Sequence, residues 1–448
     1  MRRIVPLALF CSMLLAACTS DDRHDQEPVP VPIPEPKVEG RQESVVSMEQ
    51  GSLRIAMFAQ SDADKPYTVD NAPYGRIVPI HDRIRLFQER YPNVTVEIVD
   101  VRERTDYIDL FASDELLPDI IELNPDQLRY LAGDRLLDLT PFLDLSFADW
   151  SDAYYSLMEK GRIDERLLML PVRAEPLVVY YNQDVFTVLN MNPPQEGWTW
   201  NDFSELASRL KANNYMAGIS PIMRDVEPIV QGLGGAFSSP DGRQYAGYLD
   251  SEATARAIES LQDIQGDRMY NNPFDKNPDL ALGIGRPSMY LPSVRSDKID
   301  LRYAPMPLAQ DGKSYNNMRM TGLAITEDAI KPELAWALLE TVLGETDEDA
   351  MRFVGDHTLG GWDPIYLQRP HPEDEMLLTM LFREIEYAAP ASLDVEYSPW
   401  MNNPFDLQKN IVHDSYYNLM NEKDIPHELG QLAFKLDQEI PRYYQSIE

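Results

Sequence analysis

Hydrophobic positions near the start of the globular part follow first a strand spacing and then a helix spacing. Residues 53–58 form a short apolar run that is typical of a buried strand. Apolar residues then recur every three or four positions across 80–91, which predicts a helix that ends before Pro92. A second apolar run, 94–101, follows directly. Strand, helix and strand in this order predict a parallel sheet with a right-handed crossover.

The same alternation continues further along the chain. A third apolar run, 117–124, ends in polar residues and is followed by helical spacing over 128–139. Near the C-terminus, apolar residues repeat at helical spacing across 429–440. The pattern predicts an α/β fold in which mainly parallel sheets are flanked by helices. Loops at the carboxyl ends of parallel strands hold ligands in such sheets, so Asp62, just after the first strand, is a candidate binding residue.

The first eighteen residues have the pattern of a bacterial lipoprotein signal. Arg2 and Arg3 precede an apolar run, and small residues precede Cys18. We therefore predict a signal peptide at 1–17 and a lipid such as palmitate on Cys18. Alternating prolines in 18–51 favour an extended linker. The alternatives are a plain signal peptide or a short anchor with an incidental cysteine, although the apolar run is shorter than the ~20 residues that span a bilayer.

Composition indicates a large globular body, which the lipoprotein signal would hold on the extracytoplasmic face of the cell membrane, at the cell surface or in the periplasm. The chain has 448 residues, of which 44% are hydrophobic, and this suffices for a core divided between two domains. Both cysteines lie within the first eighteen residues, so the body cannot form a disulfide. The formal net charge is −34. That acidity, without a visible basic stripe, argues against nucleic acid as a partner.

The sequence lacks motifs for catalysis, cofactors and metals. His427 and Glu428 are not followed by the second histidine of a zinc-protease motif, and no nucleophile-elbow pattern occurs. Adjacent tyrosines can ligate ferric ion, but Tyr180 and Tyr181 lie in an apolar run. We therefore predict a protein that is not an enzyme and that carries no cofactor and no metal.

Several short motifs occur in a fixed order between about residue 52 and the C-terminus. They are Phe-Gln-Glu-Arg-Tyr-Pro at 87–92, Leu-Pro-Asp-Ile-Ile at 117–121, Leu-Leu-Asp-Leu-Thr at 136–140, Leu-Pro at 170–171 with Tyr-Tyr-Asn at 180–182, and Thr-Trp-Asn-Asp-Phe at 199–203. Together they make the chain resemble the bacterial extracellular solute-binding proteins of family 1, the sugar-type binding lipoproteins of ABC importers.

The resemblance implies a periplasmic-binding-protein-like fold of type II, with two α/β lobes, a hinge and an inter-lobe cleft. The N-terminal lobe would comprise 52–172 and about 305–358, and the C-terminal lobe about 176–304 and 359–448. A solute that contacts both lobes favours the closed state. The expected function is capture of a mono- or oligosaccharide and its delivery to membrane permease subunits served by a separate ATPase. We expect a monomer.

The resemblance also assigns candidate binding residues near the N-terminal lobe. Maltose-type members place a sugar-binding carboxylate at the position of Glu175, near a crossing between the lobes, and a salt bridge with Arg173 is the alternative. Arg173 is itself a candidate. Asn124 and Asp126 follow the third strand, where the family turns polar groups into the cleft. Helix capping is the alternative for these two residues.

Three further candidates lie later in the chain. The segment 286–295 resembles a strand that leads to a solute-facing residue, and Arg295 stands where many members have tryptophan. A guanidinium there can bind hydroxyls or pair with an anionic group. Tyr290 is an aromatic candidate, with core packing as the alternative. Trp362 follows two glycines, an arrangement that suits stacking on a sugar face.

Two other functions stay open from the sequence. Acidic residues are plentiful, and a surface glycoside hydrolase needs only a carboxylate pair within ~5 to 10 Å in the fold. A binding-fold lipoprotein can also act as a sensor or a scaffold. A reducing-sugar assay separates the hydrolase from a receptor, because a receptor returns its ligand unchanged.

Overall fold

The computed structural model describes most of the chain after residue 50. The described residues are 51–57, 79–101, 110–111, 115–130, 133–146, 148–150, 153–219, 223–240, 244–265, 279–287, 299–360, 372–389 and 424–447. All of them belong to one compact unit, Met48–Glu448.

The strands within these ranges are β1 (Gly51–Met57), β2 (Val94–Asp100), β3 (Ile120–Leu123), β4 (Arg162–Ile163), β5 (Arg166–Leu167), β6 (Leu170–Pro176), β7 (Val178–Asn182), β8 (Met216–Ile219), β9 (Leu280–Gly285), β10 (Leu301–Ala304), β11 (Asn316–Ile325) and β12 (Ala388–Ala389). The α-helices are α1 (Pro79–Arg90), α2 (Pro125–Tyr130), α3 (Thr140–Leu145), α4 (Ala153–Met158), α5 (Gln183–Val188), α6 (Trp200–Ala212), α7 (Met223–Gly232), α8 (Glu252–Gln265), α9 (Pro332–Leu343), α10 (Asp347–Gly360), α11 (Pro372–Tyr387) and α12 (Ile425–Ile447).

The first sheet has the order β12-β11-β3-β1-β2, and β6 also pairs with β11. Strand β1 runs parallel to both β2 and β3, as the strand, helix and strand pattern predicted. Helix α1 lies between β1 and β2 in the chain and buries Ile80, Ile84 and Phe87. The apolar spacing therefore identified this part of the fold correctly.

The second sheet has the order β10-β7-β9-β8. Only β8 and β9 pair in parallel, whereas β7 is antiparallel to both β9 and β10. Strand β11 is likewise antiparallel to β3 and β6. The sheets are thus mixed: among the described strands, parallel pairs predominate in the first sheet, as predicted, whereas the second sheet is mostly antiparallel. Strand β6 ends where the chain leaves the first sheet, and its partner β11 begins where the chain returns to that sheet. The end of β6 therefore lies next to the start of β11, and the two strands run in opposite directions. The same holds in the second sheet for β10, where the chain leaves, and β7, where it enters.

The chain crosses between the sheets at two places. The first crossing is Leu177, which separates β6 in the first sheet from β7 in the second. The second crossing, 305–315, leads from β10 back to β11.

Two hydrophobic clusters form the core. The first gathers the apolar side chains of the first sheet with those of α1, α9, α10 and α11. The second gathers much of the second sheet with α6, α7, α8 and α12. Helix α11 buries Leu377, Leu378 and Leu381 in the first cluster, although we had assigned 359–448 to the C-terminal lobe. The other lobe boundaries stay a prediction.

Two short motifs have structural roles that are visible in the contacts. Asp119 accepts hydrogen bonds from the backbone N–H of Arg54 at 2.8 Å and of Ile330 at 3.3 Å, so it joins β1 to the start of α9. Thr199 and Asp202 form the capping box that begins α6. Trp200 then packs so closely over Gly232 that a Cβ there would lie 2.0 Å from the indole Nε1.

Among the described helices, none has the length and apolar character needed to cross a membrane.

Candidate functional site

A polar face forms where β6 and β11 pair next to the crossings. Side chains alternate between the two faces of a strand, and antiparallel partners share a face. Thr321 lies opposite Arg173, and Arg319 lies opposite Glu175. Arg173, Arg319 and Thr321 are half-buried, whereas Glu175 is 1% exposed. The face therefore combines two guanidinium groups, a carboxylate and a hydroxyl.

A bulge at Thr321 extends this face toward β3. The register between β11 and β6 shifts between Thr321 and Gly322, and a Cβ at Gly322 would lie 2.6 Å from the carbonyl oxygen of Leu170. Glycine is therefore needed for the close approach of the two backbones. Thr321 Oγ1 donates a hydrogen bond to Glu122 Oε1 at 2.8 Å, and Glu122 is 6% exposed. The bulge thus brings a second carboxylate beside the face.

Arg319 is the least engaged charged group of the face. Among the described residues its guanidinium has no ion pair, and its buried Nε has no hydrogen-bond partner. A guanidinium that is removed from water without a partner is unfavourable, and a bound acceptor oxygen removes that penalty. Arg319 can therefore donate to a hydroxyl, carboxylate or phosphate oxygen of a ligand.

A fully buried ion pair closes one end of the face. Arg286, just after β9, donates to Asp225 Oδ1 from Nη2 at 2.6 Å, and both side chains are 0% exposed. Its Nη2 also donates to Asn317 Oδ1 at 2.6 Å, and its Nη1 donates to the carbonyl oxygens of Glu175 and Asn317. Arg286 thus joins the end of β9 in the second sheet to β6 and β11 in the first.

Two buried histidines lie on α1 and α10, and α10 packs against β6. Burial lowers the pKa of His81, in the first turn of α1, to about 4, and Arg85 adds to the effect. Burial also lowers the pKa of His357 on α10, with further contributions from Arg173 and His81. The next residue, Thr358, binds the backbone of Ala174 through its hydroxyl. The edge of β6 is therefore held by α10, and both imidazoles are kept neutral.

Asn124 adopts the role that we had considered as its alternative. Its Oδ1 accepts from the backbone N–H of Gln127, and Gln127 Oε1 accepts from the backbone N–H of Asn124, both at 2.9 Å. This reciprocal pair caps the start of α2. A contact of Asn124 with a ligand stays a prediction. Asp126 lies within α2, but its side chain is outside the described residues.

The other predicted site residues lie outside the described residues. They are Asp62, Tyr290, Arg295, Trp362 and the lipidation candidate Cys18. Of the predicted set, the structure brings together Arg173 and Glu175. The sequence analysis did not predict five residues of this region as site residues, namely Glu122, Arg319, Thr321 and the buried pair Arg286 and Asp225. In the parts of the chain that the structure describes, no cluster of three or more His, Cys, Asp and Glu side chains is arranged to hold a metal.

Comparison with known proteins identifies the family of the chain. A family model described as bacterial extracellular solute-binding protein matches residues 75–348. The chain belongs to the bacterial extracellular solute-binding proteins. Among relatives of this solute-binding protein, the sn-glycerol-3-phosphate-binding periplasmic protein UgpB of Escherichia coli (strain K12) is 32% identical over 77 residues. The match spans 17% of this chain and 17% of that relative, so only a small part of the relative's length is covered.

Solved structures of similar fold cover most of the solute-binding protein. UgpB from Mycobacterium tuberculosis, in complex with glycerophosphocholine, has a TM-score of 0.64 at 14% identity and covers 88% of this chain and 99% of its own. Lmo0181 from Listeria monocytogenes, in complex with cycloalternan, has a TM-score of 0.62 at 14% identity, covering 88% and 100%. Maltose-bound MalE3 of T. maritima has a TM-score of 0.59 at 15% identity, covering 87% and 99%. The fold of the chain is therefore the two-lobe fold of periplasmic solute-binding proteins.

Proposed function

We propose that this chain is an extracytoplasmic solute-binding lipoprotein of an ABC importer. It captures a mono- or oligosaccharide between its lobes and delivers it to permease subunits, which a separate ATPase serves. The observation that carries the proposal is the polar face of β6 and β11, which lies in the first sheet directly beside both crossings. Ligands of open α/β sheets bind at such edges, where the chain changes direction between layers.

The chemistry of the face suits a solute rich in hydroxyl groups. A hydroxyl both donates and accepts hydrogen bonds, so it matches a surface that presents guanidinium donors beside carboxylate acceptors. Arg173, Arg319 and Thr321 are half-buried and are reached first. Glu175 is 1% exposed, so in this account a solute reaches its carboxylate only when the lobes are apart.

The lobes close around the solute because some contacts between solute and protein exist only in the closed state. A solute bound to the first-sheet face gains additional contacts when the second lobe approaches, and it shifts the population by that difference in affinity. No chemical step is needed. The solute is returned unchanged, and this distinguishes the proposal from a glycoside hydrolase.

A glycerophosphate-type solute is the second candidate, and one observation favours it. Arg319 has no ion pair among the described residues, and Arg173 lies on the same face. Two guanidinium groups on one face suit the bidentate recognition of a phosphate. Binding of such a solute weakens as the ionic strength rises, whereas binding of a neutral sugar does not.

Titration calorimetry with the unlipidated body tests the proposal. Maltose, maltotriose, glucose, glycerol 3-phosphate and glycerophosphocholine are titrated in turn at low and at high salt. We expect one class to release or absorb heat with a defined stoichiometry, and the bound solute to be recovered intact. Flat titrations for every member, or release of reducing sugar from the oligosaccharide, would contradict the receptor function.

The lipid anchor is a separate part of the proposal. We propose that Cys18 carries the lipid, that 18–51 serve as the linker, and that the body is a monomer. The support is the arrangement of Arg2, Arg3 and Cys18 in the sequence. Expression with labelled palmitate should give labelled wild-type protein in the membrane fraction, whereas Cys18→Ser should give unlabelled protein. Equal labelling of the two proteins would remove Cys18 as the attachment site.

A further inference from the structure

One amide side chain binds the whole peptide group of the first crossing. The backbone N–H of Leu177 donates to Asn316 Oδ1 at 3.0 Å, and Asn316 Nδ2 donates to the carbonyl oxygen of Leu177 at 2.8 Å. An asparagine amide has the same donor and acceptor arrangement as a peptide, so it replaces the strand partner that Leu177 lacks between β6 and β7. Asn316 is 4% exposed.

One carboxylate then links this amide to the second crossing. Glu384 on α11 accepts from Asn316 Nδ2 through Oε2 at 2.7 Å and from the backbone N–H of Met306 through Oε1 at 3.1 Å. The side chain is 1% exposed. Burial raises the pKa of Glu384, while the hydrogen bonds from Asn316 and Met306 and the charge of Arg383 act in the opposite direction. Both carboxylate oxygens are therefore occupied, one by each crossing.

The neighbouring asparagine faces the other side of β11. Asn317 accepts from Arg286 at 2.6 Å, and Arg286 pairs with Asp225 from the start of α7. Consecutive strand residues point to opposite faces of a strand. The start of β11 is therefore bound to a buried charged group on each face, to Glu384 through Asn316 and to Arg286 through Asn317. The backbone between the two sheets is thus fixed by side chains at both crossings.

We propose that Glu384 is a positioning residue of the hinge, whose carboxylate holds Leu177 and Met306 in a fixed relation and so sets how far the lobes open. The proposal rests on the proposed function in one respect, namely that the lobes move about these crossings. Hinge motion is absorbed by a few residues at the ends of elements. Leu177 and Met306 are such residues, and a common acceptor limits their independent rotation.

A substitution that keeps the shape of Glu384 removes one of its two bonds. In Glu384→Gln the new amide nitrogen faces a donor, either the N–H of Met306 or the amide of Asn316. Two donors cannot bond to each other, so one crossing is released while the volume is kept. The matched control is Glu386→Gln, because Glu386 lies two residues further along α11 and is exposed.

Distances between spin labels measure the opening without any solute. The full chain carries Cys11→Ser and Cys18→Ser, which removes both native thiols, together with Leu145→Cys on α3 and Val188→Cys on α5. These positions are 79% and 76% exposed, and their helices pack on the first and the second core cluster respectively. We expect Glu384→Gln to broaden the label distance distribution and move it by several ångströms, and Glu386→Gln to leave it unchanged.

A folded Glu384→Gln protein with an unchanged distribution would overturn the proposal. If that variant does not fold, Asn316→Ser decides instead, because it releases Leu177 and leaves the bond between Glu384 and Met306 in place. The same shift is expected from it, and an unchanged distribution again rejects the proposal. A different result is expected if the proposed function is wrong but the hinge proposal is right. No solute would then shorten the distance between the labels in the otherwise wild-type chain, whereas the two variants would still shift that distance.

Discussion

The two faces of the β6 and β11 pair come from neighbouring residues but have opposite chemistry. Val172 and Ala174 of β6 lie with Met318 and Met320 of β11 in the first hydrophobic cluster. The residues between them, Arg173 and Arg319, belong to the polar face. Strand alternation alone separates a surface that stabilises the fold from one that presents donors and acceptors. Changes on the two faces should therefore affect different properties.

The largest effect is expected at the buried end of the polar face. Arg286→Met leaves Asp225 charged and without its guanidinium in a site that is 0% exposed. We expect the free energy of unfolding to fall by about 3–5 kcal/mol, because breaking a buried pair leaves an uncompensated charge. Urea denaturation measures it. The control Arg302→Met removes a partly exposed pair with Asp300 and should cost about 1 kcal/mol or less. Similar losses for both variants would contradict this account of Arg286.

On the apolar face the expected effect is on stability alone. Met320 is 3% exposed, and Met320→Ala leaves a cavity in the first cluster. We expect a loss of about 2–4 kcal/mol in the free energy of unfolding. Solute affinity, measured by calorimetry on the folded protein, should stay the same. A large loss of affinity would show that the two faces are not separable.

The neighbouring residue on the polar face should show the reverse behaviour. Arg319→Met keeps the length of the side chain and removes a guanidinium that has no ion pair within the described part of the chain. The free energy of unfolding should not fall, because the substitution removes a nitrogen that is buried without a hydrogen-bond partner. Affinity for the solute should fall at least tenfold, which corresponds to about 1.4 kcal/mol. Unchanged affinity would exclude Arg319 from the site.

A smaller effect, visible only as a pH dependence, is expected at the two buried histidines of α1 and α10. The folded pKa of His81 is lowered to about 4 and that of His357 is also lowered, so the fold favours both neutral forms. Their contribution to stability is complete above the unfolded pKa of about 6.5 and is lost as the pH falls toward the folded value.

The variant His357→Phe keeps the stacked contact with Phe353 and removes one of these titrations. As the pH falls from 6.5 to 4, the free energy of unfolding should decrease less steeply in the variant than in the wild type. The two slopes should differ by up to about 1.4 kcal/mol per pH unit. Urea titrations at several pH values give the two slopes. Equal slopes would mean that folding does not lower the pKa of His357.

The outer part of the first sheet was predictable because its signals are local. The spacing that predicted α1 lies within a dozen residues. Asn124 shows the limit of such a signal. Its position after a strand indicated both a ligand residue and a helix cap, and the reciprocal bond with Gln127 shows the cap, while the ligand contact stays a prediction.

The crossings and the polar face could not be predicted in the same way. Arg286 meets Asp225 across 61 residues of sequence and Glu175 across 111, and Asn316 meets Glu384 across 68. No spacing rule relates such positions. One signal was present but unused, because Met318, Arg319, Met320 and Thr321 alternate apolar and polar side chains as a strand with two unlike faces does.

A crystal structure of the protein with its tightest-binding solute is the most direct test of the central claim. We expect the solute beside β6 and β11, with one of its oxygens within hydrogen-bond distance of Arg319 and another within reach of Arg173. A solute bound elsewhere, with Arg319 still lacking a partner, would contradict the claim that this polar face is the binding surface.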